Sequence, residues 1–288
     1  MDFLVTEEAA SDALAALLYC SFSDPNSSSD PLPKEPTSLA EALASPESKS
    51  WIQAAESELN SLMERGTWEL VDCPPSRAVV DNTWVFRRKL GPSGEVLRYK
   101  ARLCARGFSQ VKGLDFDSTF SPVAAFRSLR ILFALSIQFG LKLHQLDVVA
   151  AFLNGELDHE IYMKQPRGFG DGSPRVCRLR KAIYGLKQSS RLWNADLHTT
   201  LLALDFIRCK SDPCLYILKK GSSVALLLVY VDDIIVATND PALYTSTLAG
   251  LRAEYELTEQ PSVSWVLGWH VTYRPAGIFV CQSAFTVS

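Results

Sequence analysis

The segment Val224–Val236 is the most apolar stretch of the chain, yet it contains the adjacent acids Asp232 and Asp233. A buried carboxylate without a partner loses its hydration uncompensated, so this segment cannot be an ordinary buried strand. The conflict disappears if the acids lie at the exposed apex of a β-hairpin, or if they face a divalent cation. A metal-binding hairpin tip satisfies both conditions. An ordinary turn is the alternative, because Asp is a common turn residue.

The two neighbouring charges also limit which ligand could accompany them. Two carboxylates about 4 Å apart repel by about 4 kcal/mol at an effective dielectric constant of about 20. Such a pair either raises one pKa or recruits a cation. No Cys or His lies close enough in sequence to indicate zinc, so a hard, oxygen-ligated ion such as Mg²⁺ fits best. On this motif alone, turn and metal site remain equally open.

A second segment, Leu141–Gly155, alternates apolar and polar residues up to Leu146 and then places Asp147 before another apolar run. This pattern predicts a strand that ends at a carboxylate. Together with the Asp232–Asp233 pair, it offers three oxygen donors that folding could bring to one point. Such a set can hold two Mg²⁺ ions about 3.5–4 Å apart and stabilise in-line displacement at phosphorus. The pattern therefore favours nucleotidyl transfer.

The net charge of −3 hides an uneven distribution of charge. Residues 1–60 contain eleven acidic and two basic residues, whereas the basic residues cluster between Arg87 and Arg106 and between Arg175 and Arg191. Clustered Lys and Arg near catalytic carboxylates are typical of proteins that bind polyphosphates and nucleic-acid backbones. A solvated charged face is the alternative for such runs.

Turn signals and apolar spacing predict the elements around these motifs. Residues 84–86 and 96–103 flank the turn signal Gly91–Gly94, which predicts a hairpin with Arg98, Lys100 and Arg102 on one face. Apolar residues at helical spacing predict two helices from Ser38 onward and another over 191–204, with Trp193 in the core. Residues 265–273 alternate and, with a return strand over 278–280, predict a C-terminal hairpin.

Several ordered sequence blocks, taken together, identify a family. They are TWELVDCPP (67–75), WVFRRKL (84–90), RYKARLCARGFSQVKGLDFDSTFSPV (98–123), QLDVVAAFLNGELDHEIYMKQPRGF (145–169), VCRLRKAIYGLKQSSRLWN (176–194), YVDD (230–233) and LGWHV (267–271). In their order and spacing the chain resembles the reverse transcriptase of copia-type long-terminal-repeat retrotransposons. The resemblance implies an α+β, right-hand polymerase fold: fingers, and an antiparallel palm sheet packed on helices, with the thumb truncated or absent. It also implies RNA-directed DNA synthesis with two Mg²⁺ ions, for which Mn²⁺ could substitute.

The same resemblance assigns roles to individual residues. Asp147, Asp232 and Asp233 correspond to the family's catalytic carboxylates and metal ligands. The nucleotide-binding positions are Lys100, Arg102, Phe152, Tyr184 and Gly185. The primer-binding positions are Leu267, Gly268 and Trp269. Phe152 would stack under the incoming sugar and exclude a 2′-hydroxyl, although its apolar neighbours suit plain core packing equally well.

The resemblance also implies the organisation and partners of the chain. Residues 1–37 would be an acidic, largely disordered extension, and residues 38–288 the fingers and palm, without a ribonuclease H domain. The expected partners are an RNA template, a DNA or RNA primer and deoxynucleoside triphosphates. In the family, integrase lies upstream and ribonuclease H downstream in one polyprotein.

Composition bears on where such a chain would work. The sequence has no signal peptide and no apolar run of about 20 residues that could span a membrane. We therefore expect an intracellular location, in the cytoplasm or in virus-like particles. Two rival functions remain. One is an inactive transposon relic that retains only nucleic-acid binding, and the other is a different two-metal phosphoryl-transfer enzyme, such as a nuclease.

Overall fold

The computed structural model describes residues 33–75, 77–91, 94–274 and 277–282. Most of the expected N-terminal extension lies outside the described residues, as do residues 92–93 and 275–276 of two expected turns. The helices are α1 (Leu39–Ala44), α2 (Ser48–Glu64), α3 (Phe126–Gln138), α4 (Ser189–Ala203) and α5 (Pro241–Glu254). Short 3-10 helices cover Gly107–Ser109 and Ala151–Asn154.

The strands form separate sheets along the chain. They are β1 (Trp68–Val71), β2 (Val79–Val80), β3 (Asn82–Leu90), β4 (Val96–Ala105), β5 (Lys142–Val148), β6 (Glu156–Met163), β7 (Val176–Lys181), β8 (Ile207–Arg208), β9 (Leu215–Lys220), β10 (Ser223–Tyr230), β11 (Asp233–Thr238), β12 (Leu257–Gln260), β13 (Trp265–Val266), β14 (Trp269–Arg274) and β15 (Gly277–Cys281). The largest sheet, called the central sheet below, has the strand order β12-β5-β11-β10-β9-β8, and every pairing in it is antiparallel. The expected antiparallel sheet packed on helices is therefore confirmed.

Burial on both faces explains why β10 and β11 read as a continuous apolar run. On one face, Leu227 and Val229 pack with buried residues of α4 and α5. On the other, Leu228 and Ile235 pack with residues of α3, β13 and β14. Each fully buried side chain of this kind contributes about 1.5–3 kcal/mol of transfer free energy. The acids therefore lie at the end of a hairpin that is buried on both faces.

The expected hairpin around Gly91–Gly94 is confirmed as the β3–β4 pair, which packs against α2 through Trp51. Glu47 is the N-cap residue of α2, but its side chain does not cap the helix. Its carboxylate instead accepts hydrogen bonds from the guanidinium of Arg88 and the hydroxyl of Tyr99. These bonds connect both strands of the hairpin to the start of the helix. The cationic face of β4 is thereby held at a fixed position beside α2.

The C-terminal prediction needs a correction. Residues 265–273 do not form one strand, because Val266 pairs directly with Trp269 across a two-residue turn. Both turn residues, Leu267 and Gly268, have positive φ values, 52° and 78°. The predicted return strand is present as β15, paired antiparallel with β14. Within the described part of the chain, every helix is too short or too polar to cross a membrane.

Candidate active site

Pairing of β5 with β11 brings together the acids that lie far apart in sequence. Asp147 stands directly opposite Asp233 in this antiparallel pair. Asp232 lies in the two-residue connection between Tyr230 and Asp233. Of the two adjacent acids, Asp232 is therefore at the hairpin apex and Asp233 is in the sheet. Like charges opposite each other on neighbouring strands destabilise a sheet by roughly 0.2–1 kcal/mol. Stability alone therefore does not favour this arrangement.

The electrostatics of the site show the same conflict. Burial raises the pKa of the Asp147 carboxyl, and the charges of Asp232 and Asp233 raise it further, while Lys100 opposes the rise. Burial also raises the pKa of Asp233. The Nε2 amide of Gln145 partly offsets that rise by donating a hydrogen bond to Asp233 Oδ1 at 3.1 Å. A cation between the carboxylates would relieve both effects.

The donor chemistry of these side chains fits Mg²⁺, which prefers carboxylate oxygens. Asp147 and Asp232 both line the same cleft, whereas an oxygen of Asp233 is engaged by Gln145. Among the residues that the structure describes, no three His, Cys, Asp or Glu side chains already form a complete ligand set. The fit therefore depends on Asp147 and Asp232 first, and Asp233 could join them through the carboxylate oxygen that Gln145 does not contact.

The cleft has a volume of about 790 Å³ and opens between α2, β4 and the end of β5. Arg98, Lys100 and Arg102 all line it. The register of β4 is unbroken here, and the alternate residues Tyr99, Ala101 and Leu103 pack in the core, so the prediction that the three cations share one face of the hairpin is confirmed. Burial lowers the pKa of Lys100, and the neighbouring charge of Arg102 lowers it further. The cleft thus has cations on one wall and the acids Asp147 and Asp232 on another, the arrangement that a triphosphate and its metal ions require.

Aromatic contacts connect the cationic wall to the central sheet. The guanidinium of Arg102 lies over the ring of Tyr184 at 4.8 Å, and Tyr184 meets Phe152 edge to face at 4.7 Å. Tyr184 lines the cleft. Phe152 is partly buried and packs against the core of the central sheet. The structure therefore brings three predicted nucleotide-binding residues into one contact chain.

Gly185 makes a close contact within the protein that the sequence analysis did not predict. Its φ is 88°, and a Cβ atom there would overlap the carbonyl oxygen of Ala105 at the end of β4. The backbone N–H of Ala105 donates to the carbonyl of Tyr184 at 2.7 Å. The close approach that requires glycine is thus between two protein segments, and it attaches the end of the β3–β4 hairpin to the segment after β7.

The predicted primer-binding residues lie on the β13–β14 turn. The Trp269 side chain is 4% exposed and stacks on Phe126, with ring centroids 5.3 Å apart. Its indole is therefore part of the core, and a primer could contact the backbone at this position but not the ring. Leu267 and Gly268 form the turn itself. The Nε2 amide of Gln145 donates to the carbonyl of Trp265 at 3.0 Å, which connects this hairpin to the strand of Asp147.

The second basic cluster is largely neutralised. Its arginines form ion pairs with acids of neighbouring segments: Arg175 with Asp171, Arg178 with Glu69 and Glu160, Arg180 with Glu69, and Arg191 with Asp158. The alternative of a solvated charged face describes these arginines better than a nucleic-acid surface.

Sequence reasoning missed two polar residues near the site, Gln145 and Glu58, and named Lys89 only as part of the first basic cluster. Gln145 contacts Asp233 directly, and its position two residues before Asp147 on the same strand face was a usable signal. Lys89 and Glu58 line the cleft from β3 and α2. Burial raises the pKa of Glu58. A backbone hydrogen bond from Leu103 and the charges of Lys100 and Arg102 lower this pKa and only partly offset the rise. Nothing in the local sequence pattern distinguishes Glu58 from other polar residues of its helix.

Comparison with known proteins identifies the family of the chain. Residues 65–288 match the family described as "Reverse transcriptase (RNA-dependent DNA polymerase)". Among solved structures, the chain resembles the foamy viral protease-reverse transcriptase dRH in complex with ds DNA, with a TM-score of 0.43 and 16% identity. That match covers 80% of this chain and 35% of the other. The fold is therefore defined by the strand order of this chain itself.

Three of the curated relatives are Pol polyproteins of plant transposons. The chain is 42% identical over 240 residues to that of transposon RE2 and 39% identical over 254 residues to that of RE1, both from Arabidopsis thaliana. It is 36% identical over 241 residues to that of transposon TNT 1-94 from Nicotiana tabacum. These matches cover 82%, 87% and 83% of this chain but 16%, 17% and 18% of the relatives. The chain therefore belongs to the reverse transcriptase (RNA-dependent DNA polymerase) family, in the branch found in the Pol polyproteins of copia-type retrotransposons.

Proposed function

We propose that this chain is the RNA-directed DNA polymerase part of a copia-type Pol polyprotein. It would join the α-phosphate of a deoxynucleoside triphosphate to a primer 3′-hydroxyl, as directed by an RNA template. The observation that carries the proposal is the direct opposition of Asp147 and Asp233 across β5 and β11, with Asp232 in the adjoining turn. This opposition costs stability, and Asp147 and Asp232 line a cleft whose other wall is cationic.

The parts of the fold have corresponding roles in this proposal. The central sheet with α4 and α5 would be the palm, and the β3–β4 hairpin with α1 and α2 the fingers. Residues 38–288 would form this fingers and palm unit, and residues 1–37 an extension before it. Integrase upstream and ribonuclease H downstream would complete the polyprotein, by analogy with the family.

In the proposed mechanism, Asp147 and Asp232 hold the metal ions and Asp233 is a third, looser ligand. When bound, two Mg²⁺ ions lower the pKa of the primer hydroxyl and neutralise charge on the leaving pyrophosphate. The acids' own contribution is a rigid set of oxygens that requires little rearrangement during the reaction. The raised pKa values of Asp147 and Asp233 mean that cation binding also displaces any proton they hold.

The cationic wall would bind the triphosphate. Arg102 suits two-pronged contact with phosphate oxygens, whereas Lys100 acts as a point charge. The Tyr184 ring packs against the Arg102 guanidinium and also contacts the ring of Phe152. This chain of contacts supports a position for Phe152 under the incoming sugar. Its packing against the core would keep the ring in place as a barrier to a 2′-hydroxyl.

The turn between β13 and β14 would contact the primer terminus. Gly268 lets the backbone approach a phosphate closely, and Leu267 precedes it in the same turn. The Trp269 indole is buried, so this residue would contribute its backbone and the support of its ring. Gln145 connects the hairpin to the strand of Asp147, which supports a coupled position of primer end and metal ligands.

Primer extension on an RNA template with Mg²⁺ tests the proposal. Asp232→Asn is the blank. Asp205→Asn is the matched control, because Asp205 is a solvent-exposed acid on the loop before β8, at the opposite edge of the central sheet from β12. We expect template-dependent incorporation by the wild type and the control, and none by the blank.

Other outcomes distinguish the rival functions. If the wild type incorporates no more nucleotide than the blank but still binds the primer–template, the chain is an inactive relic that only binds nucleic acid. Strand cleavage that depends on Asp232, in place of extension, would indicate the nuclease. Either result contradicts the polymerase proposal.

A further inference from the structure

The hairpin apex that carries Asp232 has an unfavourable backbone conformation. Val231, the first of the two connecting residues, has a φ of 56°. Positive φ at this position of a two-residue hairpin turn is normally supplied by Gly or Asn, and a β-branched residue there is a genuine outlier. Such a conformation persists only where neighbouring groups hold it. The question is which groups hold this one.

Side-chain packing is incomplete on one side of the turn. Val231 lines a cavity of about 210 Å³, together with Pro122, Val229 and Trp193. The Val231 side chain therefore has room to move, and contact with neighbouring atoms does not fix the turn from this side.

Two hydrogen bonds hold the backbone of the turn instead. The indole Nε1–H of Trp193, on α4, donates to the carbonyl of Val231 at 2.6 Å. The backbone N–H of Val148, the residue after Asp147, donates to the carbonyl of Asp232 at 2.9 Å. One bond anchors the turn to a helix, and the other connects it to the strand that carries the opposing acid.

Trp193 is itself firmly fixed. Its side chain is 2% exposed, and its ring meets that of Tyr255 edge to face at 5.1 Å. The Tyr255 hydroxyl is hydrogen-bonded to Asp196 at 2.8 Å and to Thr200 at 2.7 Å, both on α4. The indole N–H thus projects from a rigid support toward the turn.

We propose that Trp193 is a positioning residue for Asp232, since its indole N–H holds the strained carbonyl of Val231 and thereby fixes the direction of the Asp232 carboxylate. The inference rests on the proposed function, and it assigns Trp193 a role beyond the core packing that its helical spacing predicts. Trp193 touches neither substrate nor metal in this account. Its effect passes through the turn.

The chain offers a closely matched control. Trp84 is also 2% exposed, and its indole N–H also donates to a backbone carbonyl, that of Arg167 at 3.0 Å. It lies on β3, away from the central sheet. Trp193→Phe and Trp84→Phe each remove one buried indole hydrogen bond and keep an aromatic ring. Any loss shared by both variants measures stability, and any loss specific to Trp193→Phe measures positioning.

We expect Trp193→Phe to lower kcat for primer extension about tenfold, equivalent to about 1.4 kcal/mol, with KM for the nucleotide changed less than about twofold. The Mg²⁺ concentration for half-maximal rate should rise at least threefold. Trp84→Phe should leave all three values near those of the wild type at a similar melting temperature. Equal kinetic values for the two variants would overturn the proposal.

Two further arms keep the test decisive. If Trp193→Phe does not fold, benzothienylalanine incorporated at position 193 replaces the N–H by sulfur within the same ring shape, and the same kinetic loss is expected. If the wild type shows no extension, the proposed function fails, and Mn²⁺ affinity measured by electron paramagnetic resonance decides the positioning role. Weaker Mn²⁺ binding by Trp193→Phe than by Trp84→Phe supports it, and equal or absent binding overturns it.

Discussion

Replacing Asp147 by Asn should stabilise the fold while it abolishes catalysis. The substitution removes one charge from direct opposition to Asp233, and an opposed like-charge pair costs roughly 0.2–1 kcal/mol. It also removes the desolvation of a half-buried carboxylate, which burial and the charges of Asp232 and Asp233 make unfavourable. We expect a net gain of about 1 kcal/mol. For a domain of this size that raises the melting temperature by about 2–4 °C.

The stabilisation should depend on pH in a defined direction. Since the pKa of Asp147 is raised in the folded state, the folded chain binds a proton more readily than the unfolded chain. The destabilising contribution is therefore complete above the folded pKa and fades as the pH falls through it. The melting temperatures of wild type and Asp147→Asn, measured by calorimetry, should differ most near pH 7 and converge toward about pH 4.

Asp212→Asn is the contrasting variant. Asp212 is buried, and its carboxylate accepts hydrogen bonds from the backbone of Ala125 at 3.2 Å and of Cys214 at 2.9 Å, and from the Ser128 hydroxyl. Loss of this structural anion at the start of α3 should cost about 1–3 kcal/mol. If Asp147→Asn lowers the melting temperature as Asp212→Asn does, Asp147 is a structural acid and the reasoning about a strained catalytic pair is refuted.

Two other substitutions test the cleft and its supports. Gly185→Ala should lower the free energy of unfolding by at least about 2 kcal/mol, because it combines a φ of 88° with overlap onto a backbone carbonyl. The control Gly113→Ala, at a φ of 81° in open space, should lower it by about 1 kcal/mol. Urea unfolding measures both values. Arg102→Lys should raise KM for the nucleotide about tenfold, because it loses two-pronged phosphate contact and stacking on Tyr184. The control Arg98→Lys, on the same face, should change KM less than threefold. A comparable rise of KM in both variants would contradict a specific role for Arg102.

Local sequence patterns were sufficient to locate the elements of the site but not its geometry. Alternation, turn signals and a charged break in an apolar run located β5, the β3–β4 hairpin and the β10–β11 hairpin, although only Asp232 lies at its apex and Asp233 lies in the sheet. The opposition of Asp147 and Asp233 depends on the register of two strands far apart in sequence, which no local pattern specifies. The strand pattern suggested that these acids could meet at one point, and the resemblance to a known family assigned them to one catalytic site.

Other features were hidden because they depend on tertiary contacts. Trp193 was correctly predicted as a core residue, yet its hydrogen bond to Val231 appears only when α4 lies against the hairpin apex. The turn at Leu267–Gly268 was missed because alternation continues through a two-residue turn without interruption. The close contact of Gly185 with the end of β4 was also not predicted, because it joins segments that lie far apart in sequence.

The most direct test of the central claim is a crystal structure of the chain with primer–template, a deoxynucleoside triphosphate and Mn²⁺, with the metal located by its anomalous scattering. We expect Mn²⁺ bound by the carboxylates of Asp147 and Asp232, and the triphosphate in contact with Lys100 and Arg102. Metal bound elsewhere, or a triphosphate bound without metal at these acids, would contradict the account.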